Sequence, residues 1–248
     1  MFVTRGDALR FASRLPLAVI FRAVGAPARA TLKTNWNDYW FQGDKLIRDF
    51  DTMYRDIDEP WLQRERAFQP RLFVGLSLLQ WMLRDNPRRQ LEILDVGAGL
   101  GGPTEYLKPF GRITATDISE AATTKAQKLV PEVNWVTDDI RIYREEWHER
   151  FDLIWMSEVL VMVLTEIDDA LSNVVRYMKP DGHMIFNYYM PDNAWTSRYL
   201  ADSKALYDKL SEYFEIEVYV DLNPFVGSQR ELLGLLARRS PQSGSGVV

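Results

Sequence analysis

The stretch 91–108, LEILDVGAGLGGPTEYLK, sets an apolar run against a glycine cluster and then opens a helix-like segment. Gly97, Gly99 and Gly101 permit a tight turn and a close backbone approach to a ligand, and the N-terminus of the following helix favours negatively charged ligand groups. With Gly102 the stretch satisfies both G-x-G-x-x-G, the dinucleotide fingerprint, and G-x-G-x-G. Asp117 ends the next strand-like run, 20 residues after Gly97, where a carboxylate accepts both hydrogens of a ribose diol. Both patterns predict an adenosine ligand; the alternative is a purely structural turn with Asp117 as a helix cap. A nucleoside triphosphate is disfavoured because no G-K-[ST] follows the glycines to supply a lysine to the phosphates.

The elements that must position these residues follow a regular rhythm. After Pro70, RLFVGLSLLQWMLRD repeats apolar residues at helical spacing and NPRRQ ends it, so a core-facing helix delivers the chain to the first strand. Beyond residue 91 the strand-like runs ILDV, RITATD, VNWVTDD, FDLIWMS and HMIFNYY alternate with helix-like segments at 103–109, 119–129, 141–147, 165–178 and 194–212. That alternation predicts a doubly wound parallel α/β sheet. FEIEVYVDL and RELLGLLARR then follow with no helix between them, which predicts a terminal β-hairpin. Residues 31–70 mix aromatics and charges without clean periodicity, as short helices and loops capping a cleft would. A dinucleotide dehydrogenase needs a second domain against its nicotinamide, and the roughly 130 residues after Asp117 are consumed by the same sheet. The roughly 90 residues before the glycine turn suit a lid over a compact cofactor.

The whole chain narrows the function classes. Its 248 residues are 46% hydrophobic and 26% charged with a formal charge of -5, a globular composition that argues against a general nucleic-acid binder. The absence of cysteine removes disulfides, thiolate nucleophiles and thiolate zinc sites, and no Asp/Asn/His metal constellation assembles, so no metal is expected. His148 lies in the charged REEWHER segment and reads as exposed; His183 begins the fifth strand-like run at the edge opposite the ligand. No apolar run approaches the roughly 20 residues of a membrane-spanning helix. The first thirty residues carry five arginines against Asp7 alone, and Arg10, Arg14 and Arg22 fall on one helical stripe opposite Leu9, Phe11, Leu17 and Ile20, interrupted by Pro16. Three readings stay open for 1–30: a peripheral helix on an anionic membrane surface, a secretory signal ending at APARA, or a helix packed on the domain. A cytoplasmic location, with or without that surface contact, is expected; the oligomeric state has no sequence signal.

Taken in order, LDVGAGLGG, TATDIS, WVTDDI, FDLIWMSEVL and YMKPDGHMIF resemble the class I S-adenosylmethionine-dependent methyltransferases over about residues 70–240. The resemblance implies a mainly parallel seven-stranded sheet with an antiparallel last strand, an N-terminal helical lid, and S-adenosylmethionine as cofactor. Behind a basic segment at 1–30 and a cap at 31–88, and before the flexible-looking tail at 241–248, all three read from composition, it implies an S-adenosylmethionine-binding catalytic domain at 89–240. It also implies roles: Asp95 organises the turn and the methionine amino group, while Gly97, Ala98, Gly99 and Gly101 line the methionine and sugar. Asp117 holds the ribose hydroxyls and Ile118 packs on adenine. Asp139, or Asp138 with it, accepts from the adenine amino group beside the Ile140 backbone, and Ser157 borders the sulfonium.

FDTMYRDIDEPWLQRERAF and SEVLVMV are further similar to segments of rhizobial nodulation N-methyltransferases and related sugar-modifying enzymes, although Glu59 separates Asp58 from Pro60. This implies Tyr54, Trp61 and Arg66 as lid residues, with simple core packing as the alternative for Trp61. Methyl transfer needs positioning and water exclusion more than acid-base machinery. A hydroxyl acceptor must nevertheless lose a proton, and Glu158, at the carboxyl edge after the fourth strand, is the candidate base; its alternative is a helix-start carboxylate. Tyr188 or Tyr189 would wall the acceptor site. The function expected is methyl transfer to an oxygen or nitrogen of a small molecule or glycan, a cell-surface or lipid-linked saccharide included. The alternatives are an NAD-dependent oxidoreductase and a non-catalytic adenosyl-binding module.

Overall fold

The structure, a computed structural model, describes residues 37–42, 45–62, 70–87, 89–190, 195–222 and 230–239. The arginine-rich segment 1–30, Arg66 and the tail 241–248 lie outside the described residues. In chain order the elements begin with α1 (Asn37–Trp40), the two-residue strands β1 (Phe41–Gln42) and β2 (Lys45–Leu46), α2 (Phe50–Asp56) and α3 (Pro70–Met82). They continue with β3 (Leu91–Val96), α4 (Thr104–Leu107), β4 (Gly111–Asp117), α5 (Glu120–Leu129), β5 (Asn134–Thr137) and β6 (Phe151–Ser157). The chain closes with α6 (Ile167–Tyr177), β7 (Met178–Met190), α7 (Ser203–Tyr213), β8 (Phe214–Leu222) and β9 (Arg230–Arg238).

Near-continuous apolar runs are what a sheet covered on both faces requires. In β3, Leu91 and Ile93 enter one core while Leu94 and Val96 enter the other, and in β6 Leu153 and Trp155 oppose Ile154 and Met156 in the same way. The seven strands lie in the order β5-β4-β3-β6-β7-β9-β8. β3 to β7 are mutually parallel, and β9 inserts antiparallel to both β7 and β8. The expected hairpin is therefore present, with its second strand inside the sheet and its first at the edge. The strand order turns around at β3, so the carboxyl ends of β3 and β6 flank the crevice where such sheets bind ligands.

Three helices read from the sequence are shorter than expected. Helix 103–109 stops as α4 and continues as a 3₁₀ turn at Lys108–Phe110, because Pro109 has no N–H to carry the α-helical ladder. Segment 141–147 retains only a 3₁₀ turn at Glu145–Trp147. Its backbone is held from outside: the Arg144 N–H donates to the Tyr177 hydroxyl at 2.8 Å, and that hydroxyl donates to the Ile142 carbonyl at 3.3 Å. Segment 194–212 breaks after the Thr196–Arg198 turn, and Asp202 restarts it by accepting the Ala205 N–H at 2.8 Å as the N-cap of α7.

The segment before α3 packs over the crevice. Phe50, Met53 and Tyr54 of α2 share a core with Leu100 and Ala122, which brings α2 onto the start of α5. The Asp51 carboxylate accepts the Ser119 hydroxyl at 3.0 Å and the Ala121 N–H at 2.8 Å, so the lid supplies part of the cap of α5. On the far side Arg48 donates to Glu166 at 2.8 Å and to the Thr165 hydroxyl.

α3 lies close to the sheet because Gly75 offers no side chain there: a Cβ would stand 2.5 Å from Trp155 Cη2. Gly75→Val should therefore destabilise the protein by about 1–3 kcal/mol through overpacking, despite the higher helix propensity of valine. Urea unfolding showing equal or greater stability would mean that α3 moves away from Trp155 without cost.

Candidate functional site

The glycine turn leaves β3 with φ of 65° at Gly97, 56° at Gly99 and 81° at Gly101, a left-handed run that residues with side chains adopt only under strain. It is pinned on both sides, by the Ala98 N–H to the Thr116 carbonyl at 2.7 Å and the Gly101 N–H to the Ala98 carbonyl at 2.9 Å. Sequence also requires glycine at 97 because a Cβ would meet the Val159 side chain at 2.3 Å. Beneath the turn, Asp95 is buried and takes the Thr104 hydroxyl at 2.6 Å. Burial pushes its carboxyl up to about 7, opposed by the Thr104 bond and reinforced by the charge of Asp117.

Asp117 ends β4 and is 8% exposed. Its two oxygens accept the Gly99 N–H at 3.0 Å and the Ser119 N–H at 2.9 Å, one bond to each. Burial raises this carboxyl to about 6 against the pull of those two amides. Each oxygen retains a lone pair, which is what two ribose hydroxyls need. Ile118 beside it is 42% exposed, an apolar face at the rim of the crevice. Tyr54 is buried over this region; burial and the Asp117 charge raise its phenol, and the indole of Trp61 hydrogen-bonds its hydroxyl. Tyr54 and Trp61 thus belong to one lid contact.

The two acids after β5 are differently disposed. Asp138 accepts the Arg144 Nε–H at 2.7 Å, and burial outweighs that partner, raising its carboxyl. Asp139 is clasped by Arg141, whose Nε lies 2.8 Å from one oxygen and whose Nη2 lies 2.6 Å from the other. Although burial pushes the other way, these bonds hold its carboxyl below the ordinary value. An adenine amino group meeting Asp139 therefore shares it with Arg141. Ile140 is buried, and its carbonyl accepts the Asn173 amide at 2.8 Å.

At the other end of the crevice, Glu158 follows β6 with φ of 61°, in the left-handed region although it carries a side chain. β7 holds it twice: its N–H donates to the Asn187 carbonyl at 2.9 Å, and its carboxylate accepts the Tyr189 N–H at 3.2 Å. Arg71 Nη1, on the first turn of α3, lies 3.5 Å from Glu158 and 3.2 Å from Glu231 of β9. Burial lifts the Glu158 carboxyl to about 7, with Arg71 opposing, Glu231 adding and the Tyr189 amide opposing. About a quarter of its side chain, 27%, stays open to solvent, so a proton can still reach it. Ser157 donates to the Asn187 amide oxygen at 3.4 Å, and Tyr188 is fully buried with its hydroxyl unpartnered.

The structure therefore gathers Asp95, Gly97, Ala98, Gly99, Gly101, Asp117, Ile118, Tyr54 and Trp61 around one end of the crevice, and Ser157, Glu158 and Tyr188 at the other. Arg71, Glu231, Arg141 and Asn187 were not anticipated from sequence. Their partners lie up to 160 residues away, except for Arg141, two residues from Asp139 in a loop. His148 pairs with the Tyr143 hydroxyl on the surface and His183 stands 3.5 Å from Glu217, both away from the site. Among the described residues no three His, Asp or Glu side chains converge to hold a metal ion, and no helix is long and apolar enough to cross a membrane. The left-handed turn, the half-satisfied Asp117 and the apolar Ile118 fit the adenosine end of S-adenosylmethionine.

Comparison with other proteins agrees with this fit. Residues 94–186 match a family model described as a methyltransferase domain. Nodulation protein S of Sinorhizobium fredii (strain NBRC 101917 / NGR234) is 26% identical over 174 residues, which span 67% of this chain and 78% of that protein. Nodulation protein S of Rhizobium tropici is 30% identical over 58% of this chain and 61% of its own length. Among solved structures, the N-methyltransferase NodS from Bradyrhizobium japonicum WM9 in complex with S-adenosyl-l-homocysteine shares the fold with a TM-score of 0.60. That likeness covers 77% of this chain and 98% of the other at 22% identity. The match to a methyltransferase domain sets the oxidoreductase reading aside.

Asp117→Asn should weaken S-adenosylhomocysteine binding by about 10- to 100-fold, since an amide offers one acceptor oxygen where the carboxylate offers two. Stability changes with pH as well. A carboxyl raised to about 6 in the fold stabilises it when protonated, and that contribution is lost as pH rises through 6. The ligand-free variant, which leaves one of the two backbone N–H groups unpaired, should therefore melt below wild type by a smaller margin at pH 8 than at pH 5. Titration calorimetry giving undiminished affinity would remove Asp117 from the ribose position.

Proposed function

Because the chain belongs to the class I S-adenosylmethionine-dependent methyltransferases, we propose that it methylates an amine nitrogen of a small polar acceptor, with Glu158 as the carboxylate that receives the proton. The observation that carries this reading is Glu158 itself: strained, clamped by β7, and raised to about 7 at the carboxyl edge. A carboxylate kept near neutrality can take a proton at physiological pH, and local strain is characteristic of working residues. S-adenosylmethionine, when bound, supplies a methyl group already activated on a sulfonium.

The chain's own residues then have three tasks. Gly97, Ala98, Gly99, Gly101 and Asp95 bind the methionine and sugar, and Asp117 with Ile118 orients the adenosine. Asp139, shared with Arg141 and seconded by Asp138, meets the adenine edge beside Ile140, and Ser157 borders the sulfonium. Tyr54 and Trp61 exclude water by closing α2 over the crevice, a role the sequence match extends to Arg66. At the acceptor end two carboxylates, Glu158 and Glu231, face one arginine, so the local charge favours an acceptor that arrives as an ammonium ion and leaves its proton on Glu158. Tyr188 walls this end from the opposite sheet face. A non-catalytic adenosyl-binding module would have no use for a strained, neutral-range carboxyl here.

An amino sugar is the acceptor class we favour, supported by the resemblance of FDTMYRDIDEPWLQRERAF to the nodulation N-methyltransferases, by the similarity to Nodulation protein S and by the N-methyltransferase among the structural relatives. Surface contact with an anionic membrane through the arginines of 1–30 is part of the same proposal. Transfer to a hydroxyl is the second reading, because a carboxyl near 7 serves a hydroxyl proton equally well.

Glu158→Gln should lower turnover of isotopically labelled methyl transfer to glucosamine by about 10²- to 10⁴-fold at pH 7, with S-adenosylhomocysteine affinity preserved. Wild-type rate should climb through pH 7 as Glu158 loses its proton. With an amine acceptor the variant recovers at high pH as the free amine forms; with a hydroxyl acceptor it does not. A variant as active as wild type across pH leaves positioning alone as the source of catalysis.

A further inference from the structure

Two consecutive residues near the end of β7 carry buried polar groups with no hydrogen-bond partner: the Asn187 amide nitrogen and the Tyr188 hydroxyl. Asn187 is 4% exposed. They point to opposite faces of the sheet, Tyr188 into the core with Met156 and Phe186, Asn187 onto the face of Ile185 and Leu233, so neither can serve the other. A buried donor without a partner costs stability, and such groups are few in native proteins and need a reason.

The position of Asn187 supplies one. It pairs in register with Ser157 of β6 and Leu233 of β9. Its amide oxygen is taken by Ser157, its carbonyl holds the Glu158 N–H, and the next residue on its face, Tyr189, holds the Glu158 carboxylate. The unused amide hydrogens therefore lie in the layer between the residue expected at the methyl group and the residue expected to take the proton. A leucine would pack against Ile185 and Leu233 with no buried amide and would release only the long 3.4 Å bond of the half-buried Ser157 hydroxyl, so the amide is a net liability until something accepts from it.

We propose that Asn187 is a specificity-determining residue whose amide donates to an oxygen of the acceptor adjacent to the atom that is methylated. This rests on Glu158 marking the acceptor end. A buried donor rewards an acceptor with a vicinal oxygen and rejects an isostere lacking it, because that isostere leaves the amide unpaired. An amino sugar, with a hydroxyl on either side of its amine, meets the requirement; a simple cycloalkylamine does not.

The test compares labelled methyl transfer to glucosamine and to cyclohexylamine by wild type, Asn187→Leu and Asn187→Asp, with S-adenosylhomocysteine affinity and melting temperature measured in parallel. Wild type should favour glucosamine by at least about 10-fold in kcat/KM, and both variants should bring the ratio toward one with cofactor affinity unchanged. Asn187→Leu should also melt about 2–4 °C higher than wild type, since it removes an unpaired buried group. An unchanged ratio, or a parallel loss of cofactor affinity, overturns the proposal. If neither amine is methylated while glucose is preferred over cyclohexanol, the amine reading fails and the same ratio in the variants judges Asn187. If no probe is methylated, the melting temperature decides: a Leu variant no more stable than wild type makes the amide structural and ends the proposal.

Discussion

The buried carboxylate of Asp117 is the interaction on which the rest of the site depends. One oxygen fixes the Gly99 N–H and so the left-handed turn after β3; the other fixes the Ser119 N–H and so the start of α5. Ser119 in turn caps α5 through the Ala122 N–H and donates to Asp51 of the lid. A single side chain thus ties together turn, helix and lid, and it does so at a cost, since its charge is held where water is scarce. Asp95 bears the same cost one strand away, and the charge of Asp117 raises its proton affinity further. The ligand-free fold is therefore strained electrostatically above pH 6 or 7, and in the function proposed above hydroxyl or ammonium donors of the cofactor would relieve that strain.

The lid is held by a chain of charges that begins far from this pair. Arg48, itself at φ of 52°, bonds Glu166, and Arg141 stands 3.6 Å from Glu166 while clasping Asp139. Arg48 holds the Glu166 carboxyl at about 2, with Thr165 and Arg141 assisting. A carboxyl lowered in this way stabilises the fold above its ordinary value and loses that contribution as pH falls toward 2. The exposure of Glu166, 36%, keeps the pair's worth in the modest range of a screened surface contact. The network's interest is geometric: the adenine-edge acid and the lid share Arg141 and Glu166, so the state of one is felt by the other.

What was legible in the sequence is what is local in the chain. The glycine turn and Asp117 stand 20 residues apart in one strand-turn-helix-strand unit, and the structure brings them together as that spacing led us to expect. The terminal hairpin was legible because two strand patterns lacked a helix between them. The acceptor end was not: Arg71 meets Glu158 across 87 residues and Glu231 across 160, and no periodicity encodes a contact made by three separate elements. The missing helix at 141–147 has the same cause, for its backbone is claimed by Tyr177, 33 residues away. Asp139 is the instructive middle case. Its position was readable, but the presence of Arg141 two residues on gave no hint that the loop would fold the guanidinium back onto it.

Glu158 shows how these long-range contacts set a proton affinity. A glycine would adopt its φ of 61° freely, whereas a glutamate there costs on the order of 1 kcal/mol or more. Its N–H and its carboxylate are both held by the backbone of β7, so the strain is imposed by the sheet and not by the loop that follows. The carboxylate is thereby fixed at the sheet edge with two backbone anchors and one shared arginine, too few to hold it fully ionised in so crowded a place. Adding a second arginine would lower its proton affinity; deleting Arg71 would leave two half-buried acids in mutual repulsion. One guanidinium between two carboxylates is the balance that keeps Glu158 near neutrality, and that balance is set by α3 and β9, neither of which belongs to the motif that announces the cofactor.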